Sequence, residues 1–136
     1  MADIPEGYKT LVGINPAEDH MGPFYYQKSE AGLTTGFPAT EQVCNGIGTV
    51  HGGVLMAFAD YTATILALSG VQENCATISF SSDFLAGAKL GDWVEGSGEV
   101  VKRTGSMTFV SGRLHVGEEY LLTFQVVLRR LKKPGQ

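Results

Sequence analysis

The sequence predicts an α+β domain in which an antiparallel sheet curls around one long helix. Three observations carry this. Between Val50 and Val71 the chain is almost free of charge and repeats with a helical period. Four strand-like segments with short turns follow it, and two extended segments precede it.

In chain order, "NPAEDHMG" (Asn15–Gly22) reads as a short helix. Asn15 is its candidate cap, Pro16 suits the first turn, and Glu18 and Asp19 favour the N-terminal end. "PFYYQKSE" and "AGLTTGFPAT" read as a hairpin turning near Ala31 and Gly32. The long segment lacks proline, is rich in Ala and Leu, and should stop near Gly70. Val50, Val54, Ala57, Tyr61, Thr64 and Leu68 form one stripe of it; Leu55, Phe58, Ala59, Thr62 and Leu66 form another. A helix apolar on most sides must be enclosed on most sides. "CATISFSSDFLAGA", "DWVEGSGEVVKRT", "SMTFVSGRLHV" and "EYLLTFQVVLRRL" supply the enclosing strands, and their close spacing predicts a simple antiparallel meander.

The 136 residues suit one domain over 1–136, burying roughly two-thirds of the unfolded chain's surface. No repeat, low-complexity tract or linker divides it. An apolar fraction of 43% argues against disorder, and a net charge of −4 against nucleic acid. "LRRLKK" (Leu128–Lys133) is a basic patch that reads as a solvated face or as a phosphate contact. Cys44 and Cys75 form no disulfide framework and no zinc spacing. "MADIPEGYKT" lacks the pattern of a signal peptide, so the expected compartment is the cytoplasm. The apolar segment carries His51, Asp60, two threonines and a serine and lacks a basic flank, which argues against a membrane span.

One feature resists the core reading: Asp60 is the single carboxylate in that helix, and burying a carboxylate is costly. Upstream of it stand Asn45, Gly48, Thr49, His51, Gly52 and Gly53. This pattern, N-x-x-G-T-x-H-G-G-x(6)-D, resembles the signature of the hotdog-fold acyl-CoA thioesterases, and most nearly their phenylacetate-pathway branch. The order of elements matches from about Asn15 to Leu131. The resemblance implies a curved sheet around its helix, a homodimer joined sheet edge to sheet edge, often a homotetramer of two such dimers, and an active site shared by two subunits. It implies an acyl-CoA substrate, with coenzyme A as part of that substrate and no separate cofactor. Asp60 would be the catalytic base or nucleophile, and the Gly52 amide the donor that polarises the thioester. Asn45 would position water or substrate, His51 would lie beside the thioester, Gly53 would border the substrate, and Thr77 would be the hydroxyl near the carboxylate. The strand end from Phe84 to Lys89, and the turn Lys102, Arg103, Thr104, Gly105 and Ser106, resemble regions that touch coenzyme A. Gly87 stands where relatives commonly carry proline.

The chemistry makes the same demands without the family. Attack on a thioester carbonyl puts charge on its oxygen, and a donor must wait there. The first turn of a helix offers unpaired N–H groups and a positive dipole end. Asp60 lies eight residues after Gly52, about 12 Å along the axis. One straight helix therefore cannot bring both to one carbonyl; two antiparallel helices from two copies can.

Plainer readings stand beside these roles. Asp60 is alternatively a structural carboxylate bonded to Thr62, Thr64 or an arginine; Asn45 a turn residue; His51 a structural histidine; Thr77 an ordinary strand residue; and Lys102–Ser106 a plain hairpin turn. A Cys44 nucleophile lacks any local sign of activation. No metal is expected, since His20, His51 and His115 fall on three different elements. The expected function is hydrolysis of acyl- or aryl-CoA thioesters. The alternatives are an acyl-CoA sensing module, and a dehydratase that would need an Asp–His pair.

Overall fold

The computed structural model describes residues 4–132. Lys133, the last residue of the basic patch, and the opening Met1–Asp3 of the leader reading lie outside the described residues. The elements are α1 (Pro16–Met21), β1 (Tyr25–Ser29), β2 (Gly32–Pro38), a 3-10 turn (Glu41–Val43), α2 (Gly52–Leu68), β3 (Asn74–Phe84), β4 (Trp93–Arg103), β5 (Met107–Val116) and β6 (Glu119–Leu131). The strands form one antiparallel sheet in the order β1-β2-β4-β5-β6-β3.

The sheet departs from the simple meander expected. β4, β5 and β6 follow one another, but β3 pairs with β6 and forms an edge, while β4 pairs with β2. The link from β3 to β4 explains this. The Val50 amide donates to Ala88 O, Leu90 to Gly48 O and Gly91 to Ala39 O. Those bonds carry the chain across the front of α2 and deliver β4 to the other half of the sheet. Register shifts at Thr77/Ser79, Val100/Lys102 and Leu114/His115 add bends, since a bulge kinks its strand and raises the local twist.

α2 lies in the resulting trough. Its stripe Leu55, Phe58, Ala59, Thr62 and Leu66 is wholly buried and faces the sheet. The other stripe is only partly covered: Val54, Ala57, Thr64 and Leu68 are half-buried, and Met56 is 40% exposed. Enclosure by the chain's own sheet is thus incomplete, and Asp60 lies toward the uncovered side as a half-buried residue. The core joins α2 to Phe24, Phe37, Val94, Leu114, Leu122 and Leu128. Phe58 meets Phe37 edge-on at 4.6 Å and Phe24 at 5.1 Å, a geometry that aromatic quadrupoles favour.

A buried polar contact fixes the helix on the sheet. Thr35 Oγ1 and Thr62 Oγ1 share a hydrogen bond of 2.7 Å, and Thr62 Oγ1 also donates to Phe58 O at 2.9 Å. Gly96 on β4 faces this pair; a Cβ there would collide with Thr35 Oγ1 and stand 2.7 Å from Thr62 Oγ1. At the far end, Arg103 Nη2 donates to Ala67 O at 2.8 Å, satisfying a carbonyl of the last helical turn. Arg130, beside it, binds Glu73 through Nε and Nη2, each at 2.9 Å, and the pairing holds the Glu73 carboxyl below its ordinary range. α1 forms where expected, but Asn15 makes no side-chain cap; Asp19 Oδ2 instead accepts from the Gly13 amide.

Candidate active site

The sequence motif begins in a tight loop. Asn45 Oδ1 accepts from the amides of Ile47 at 3.0 Å and Thr49 at 3.3 Å, and its Nδ2 donates to Thr49 Oγ1 at 2.9 Å. The Asn45 amide donates to Thr49 O and Gly48 donates to Asn45 O. Asn45 is therefore the organiser of this loop, as the turn reading expects, with one side-chain N–H left over. Val50 is extended and bridges Cys44, so the helix starts at Gly52, two residues later than the apolar run.

His51 is the N-cap. Its Nδ1 accepts from the Gly53 amide at 2.9 Å. A nitrogen that accepts must carry its lone pair, so the ring proton sits on Nε2 and faces outward from the bond as a donor. The Val54 and Leu55 amides donate to His51 O. Of the amides in the first turn, that of Gly52 has no hydrogen-bond partner among the described residues. A Cβ on Gly52 would meet only the Phe84 ring, at 3.4 Å, which is ordinary contact. Packing within the chain therefore does not demand a glycine there. At Gly53 the space is tighter: a Cβ would stand 3.0 Å from His51 Nδ1, and the exposed His51 ring would have to give by a few tenths of an ångström.

Phe84 closes over this corner from the end of β3 and is half exposed. Lys89 comes to the same end through its bridge with Thr49, its amide bonded to Asp92 Oδ2 at 2.8 Å and its side chain exposed. Asn45, His51, Gly52, Gly53, Phe84 and Lys89 thus form one group at the front of α2.

Asp60 and Thr77 form a second group. Thr77 Oγ1 donates to Asp60 Oδ1 at 2.7 Å. The bulge at Thr77/Ser79 is where β3 shifts register, and a bulge re-aims its side chains. The partner of Asp60 is thus neither Thr62 nor Thr64, and among the described residues no cation pairs with it. Two turns of helix separate this group from the Gly52 amide within the chain.

The turn Lys102–Ser106 forms a third group, by the C-terminal end of α2. Its polar groups are mostly occupied. Arg103 holds Ala67 O, Thr104 Oγ1 accepts from the Ser106 and Met107 amides, and Thr104 O accepts from Arg130. The Lys102 side chain and the Gly105 backbone are exposed. The hairpin reading accounts for most of this turn.

Beside Asp60 lies a cavity of about 360 Å³ whose walls include Glu18, Phe24, Tyr61, Thr64, Ile65 and Cys75. Sequence reasoning assigned it no role, because residues of α1 and β1 meet those of α2 and β3 there only through the fold. Burial pushes the Cys75 thiol up, and the Asp60 carboxylate adds to the effect. Burial also lifts the Cys44 thiol, with Glu41 adding to it, so neither cysteine is a ready thiolate. Among the described residues no three His, Cys, Asp or Glu side chains gather as metal ligands, and no helix is long and apolar enough to cross a membrane.

Comparison with known proteins agrees with this architecture. The thioesterase superfamily pattern matches residues 47–123. A Pseudomonas aeruginosa protein assigned as an esterase is 36% identical over 121 residues, covering 87% of this chain and 90% of the relative. Among solved structures, a Ralstonia eutropha protein assigned as a thioesterase related to phenylacetic acid degradation superposes with a TM-score of 0.75 at 22% identity. That match covers 85% of this chain and 90% of the other. A Streptococcus pneumoniae protein described as a hypothetical thioesterase, solved with coenzyme A, superposes with a TM-score of 0.73 at 16% identity, covering 93% and 97%. The superpositions establish the hotdog fold. With the matched motif region and the 36% relative, they lead to one conclusion: the chain belongs to the thioesterase superfamily and is a thioester hydrolase.

Proposed function

We propose that the chain hydrolyses acyl-CoA thioesters at a site built from two copies, with Asp60 of one copy facing the Gly52 amide of the other. The observation that carries this is the pair of unmatched groups on one helix. Among the described residues the Gly52 N–H has no partner at the positive end of α2, and the Asp60 carboxylate has a hydroxyl but no cation. They sit about 12 Å apart along the axis. A thioester between antiparallel helices would bring the Gly52 N–H its acceptor and set its carbonyl carbon before the Asp60 carboxylate.

In this reading the carbonyl oxygen points at the Gly52 amide, which stabilises the charge that develops on attack. The helix dipole adds to that donor. Asp60, steadied by Thr77, either takes a proton from the attacking water and passes it to the departing thiolate as the carbon–sulfur bond breaks, or bonds to the carbonyl carbon as that bond breaks. The second route leaves an acyl anhydride on Asp60, which water then hydrolyses to the free acid, its proton ending on the coenzyme thiolate. His51, with Nε2–H outward, offers a donor to the substrate. Asn45 acts mainly by shaping the loop that presents Gly52 and offers its remaining N–H. Phe84, Lys89, Lys102 and the Gly105 backbone are the remaining candidates for coenzyme contacts, with Lys89 and Lys102 bringing the charge that phosphates need.

Self-association has its own support. β3 is an edge strand of eleven residues in which Asp83 is the one charged residue, and most of its side chains are exposed. Monomers ordinarily protect such edges with lysine, proline or a cover. The same side of the molecule carries the open face of α2. A second copy adding its own β3 would cover both. The dehydratase alternative loses support from His51: with Nδ1 bonded to the Gly53 amide, the ring presents a donor and not a base.

The test is Asp60→Asn, assayed for thiol release on benzoyl-, phenylacetyl- and fatty acyl-CoA. The variant should fold and lose at least about a hundredfold in turnover. Turnover equal to the wild type would overturn the assignment, and tight acyl-CoA binding by a wild type that releases no thiol would favour the sensing module.

A further inference from the structure

The cavity beside Asp60 has an unusual lining for a hydrocarbon pocket. Phe24, Ile65 and Leu68 give it apolar walls. Into the same space come Glu18 from α1, Tyr26 from β1 and Tyr61 from α2. None of these three side chains has a hydrogen-bond partner among the described residues, although Tyr61 is 8% exposed and the other two are half-buried. At about 360 Å³ the space falls at the small end of the range for small-molecule sites, roughly 300–1,000 Å³. It borders the reaction centre: Tyr61 follows Asp60, Thr64 lies one turn further on the same helix, and Cys75 precedes Thr77 by two residues on β3.

We propose that this cavity receives the acyl end of the substrate and selects acyl groups whose far end carries a hydrogen-bond donor, with Glu18 as its acceptor and Tyr61 beside it. The inference rests on the hydrolase reading above and goes on to name the substrate class. The neighbours of Glu18 are Asp19, Asp60 and tyrosines, with no cation among the cavity residues. Burial first, then the charges of Asp19 and Asp60, lift the Glu18 carboxyl above its ordinary range. A desolvated acceptor of this kind gains from a donor brought by the ligand. A methyl group in the same place leaves it unpaired, and sites built to bond a polar group discriminate strongly against analogues lacking one. A distal carboxylate meets like charge and is rejected.

The experiment measures kcat/KM for thiol release on acyl-CoAs in butanoyl and hexanoyl frames, each tail ending in methyl, hydroxyl, ammonium or carboxylate. Wild type, Glu18→Leu, Tyr61→Phe and Asp60→Asn are compared, with folding checked by circular dichroism. The wild type should prefer the hydroxyl or the ammonium tail over methyl by at least about tenfold in one frame; which of the two leads identifies a neutral or a cationic donor. The ratio should fall toward one in Glu18→Leu and fall in part in Tyr61→Phe, which loses only a hydroxyl. Methyl tails equal or better in both frames, or a preference that survives Glu18→Leu, would overturn the inference alone if Asp60→Asn still abolishes hydrolysis of every tail. A wild type that hydrolyses no tail, or an Asp60→Asn variant as active as wild type, would overturn the hydrolase assignment and this inference with it.

Discussion

The first turn of α2 handles its amides unequally. Gly53 donates to the His51 ring, Val54 and Leu55 donate to the His51 carbonyl, and Gly52 donates to nothing among the described residues. Gly52 is also the first helical residue, where proline is well tolerated because the amide hydrogen has no helical partner. His51, with φ −57° and ψ 133°, already has the extended backbone that a following proline requires. Gly52→Pro therefore replaces that hydrogen with the ring Cδ, with little change to the fold, and leaves no donor at this position. Thermal unfolding should show stability held, or raised by under about 1 kcal/mol. Turnover should fall by about a hundred- to a thousandfold, the usual effect of losing one such donor. A folded Gly52→Pro enzyme with full turnover would remove the amide from the mechanism. At this scale the sequence was informative wherever spacing alone matters, as with Gly52 and Asp60. It was silent on which nitrogen of His51 accepts and on how far Asn45 is engaged by Thr49, because both depend on hydrogen bonds that only the folded loop defines.

Between elements, the position of Asp60 depends on how closely α2 sits in the sheet. That approach is set by Gly96 and by the Thr35–Thr62 hydroxyl pair. Gly96→Ala would drive a methyl group into both hydroxyls. It should destabilise by about 1–3 kcal/mol, the ordinary range for overpacking, measured as a lower midpoint in denaturant with an unchanged slope. An unchanged midpoint would mean that the helix is not held by this contact. The helix and all six strands were legible from period and turns, and the buried stripe of α2 was correctly separated from its neighbour. The strand order was not. β3 leaves β4 because of bonds from Val50, Leu90 and Gly91 to distant carbonyls, and no local pattern announces those. The nearness of Thr77 to Asp60 was foreseen only through the family resemblance, since no local pattern announces a bond that belongs to a bulge set by pairing with β6.

For the whole molecule, the decisive fact is what one copy leaves unfinished. A long edge strand and a half-covered helix lie on the same side, and Asp60 and the Gly52 amide lie two helical turns apart, too far to meet at one thioester within one copy. The sequence disclosed the last point through simple distance along a helix. It did not disclose the cavity between α1, β1, α2 and β3, whose residues are separated along the chain by up to about half its length.

A mixture of two inactive variants tests the shared site most directly. Asp60→Asn and Gly52→Pro chains, co-expressed with different tags, should each be inactive alone. In a mixed dimer, one of the two sites pairs an intact Asp60 with an intact Gly52, so random association should restore about a quarter of wild-type thiol release. Mixed dimers isolated through both tags that remain as inactive as their parents would contradict a site made by two chains.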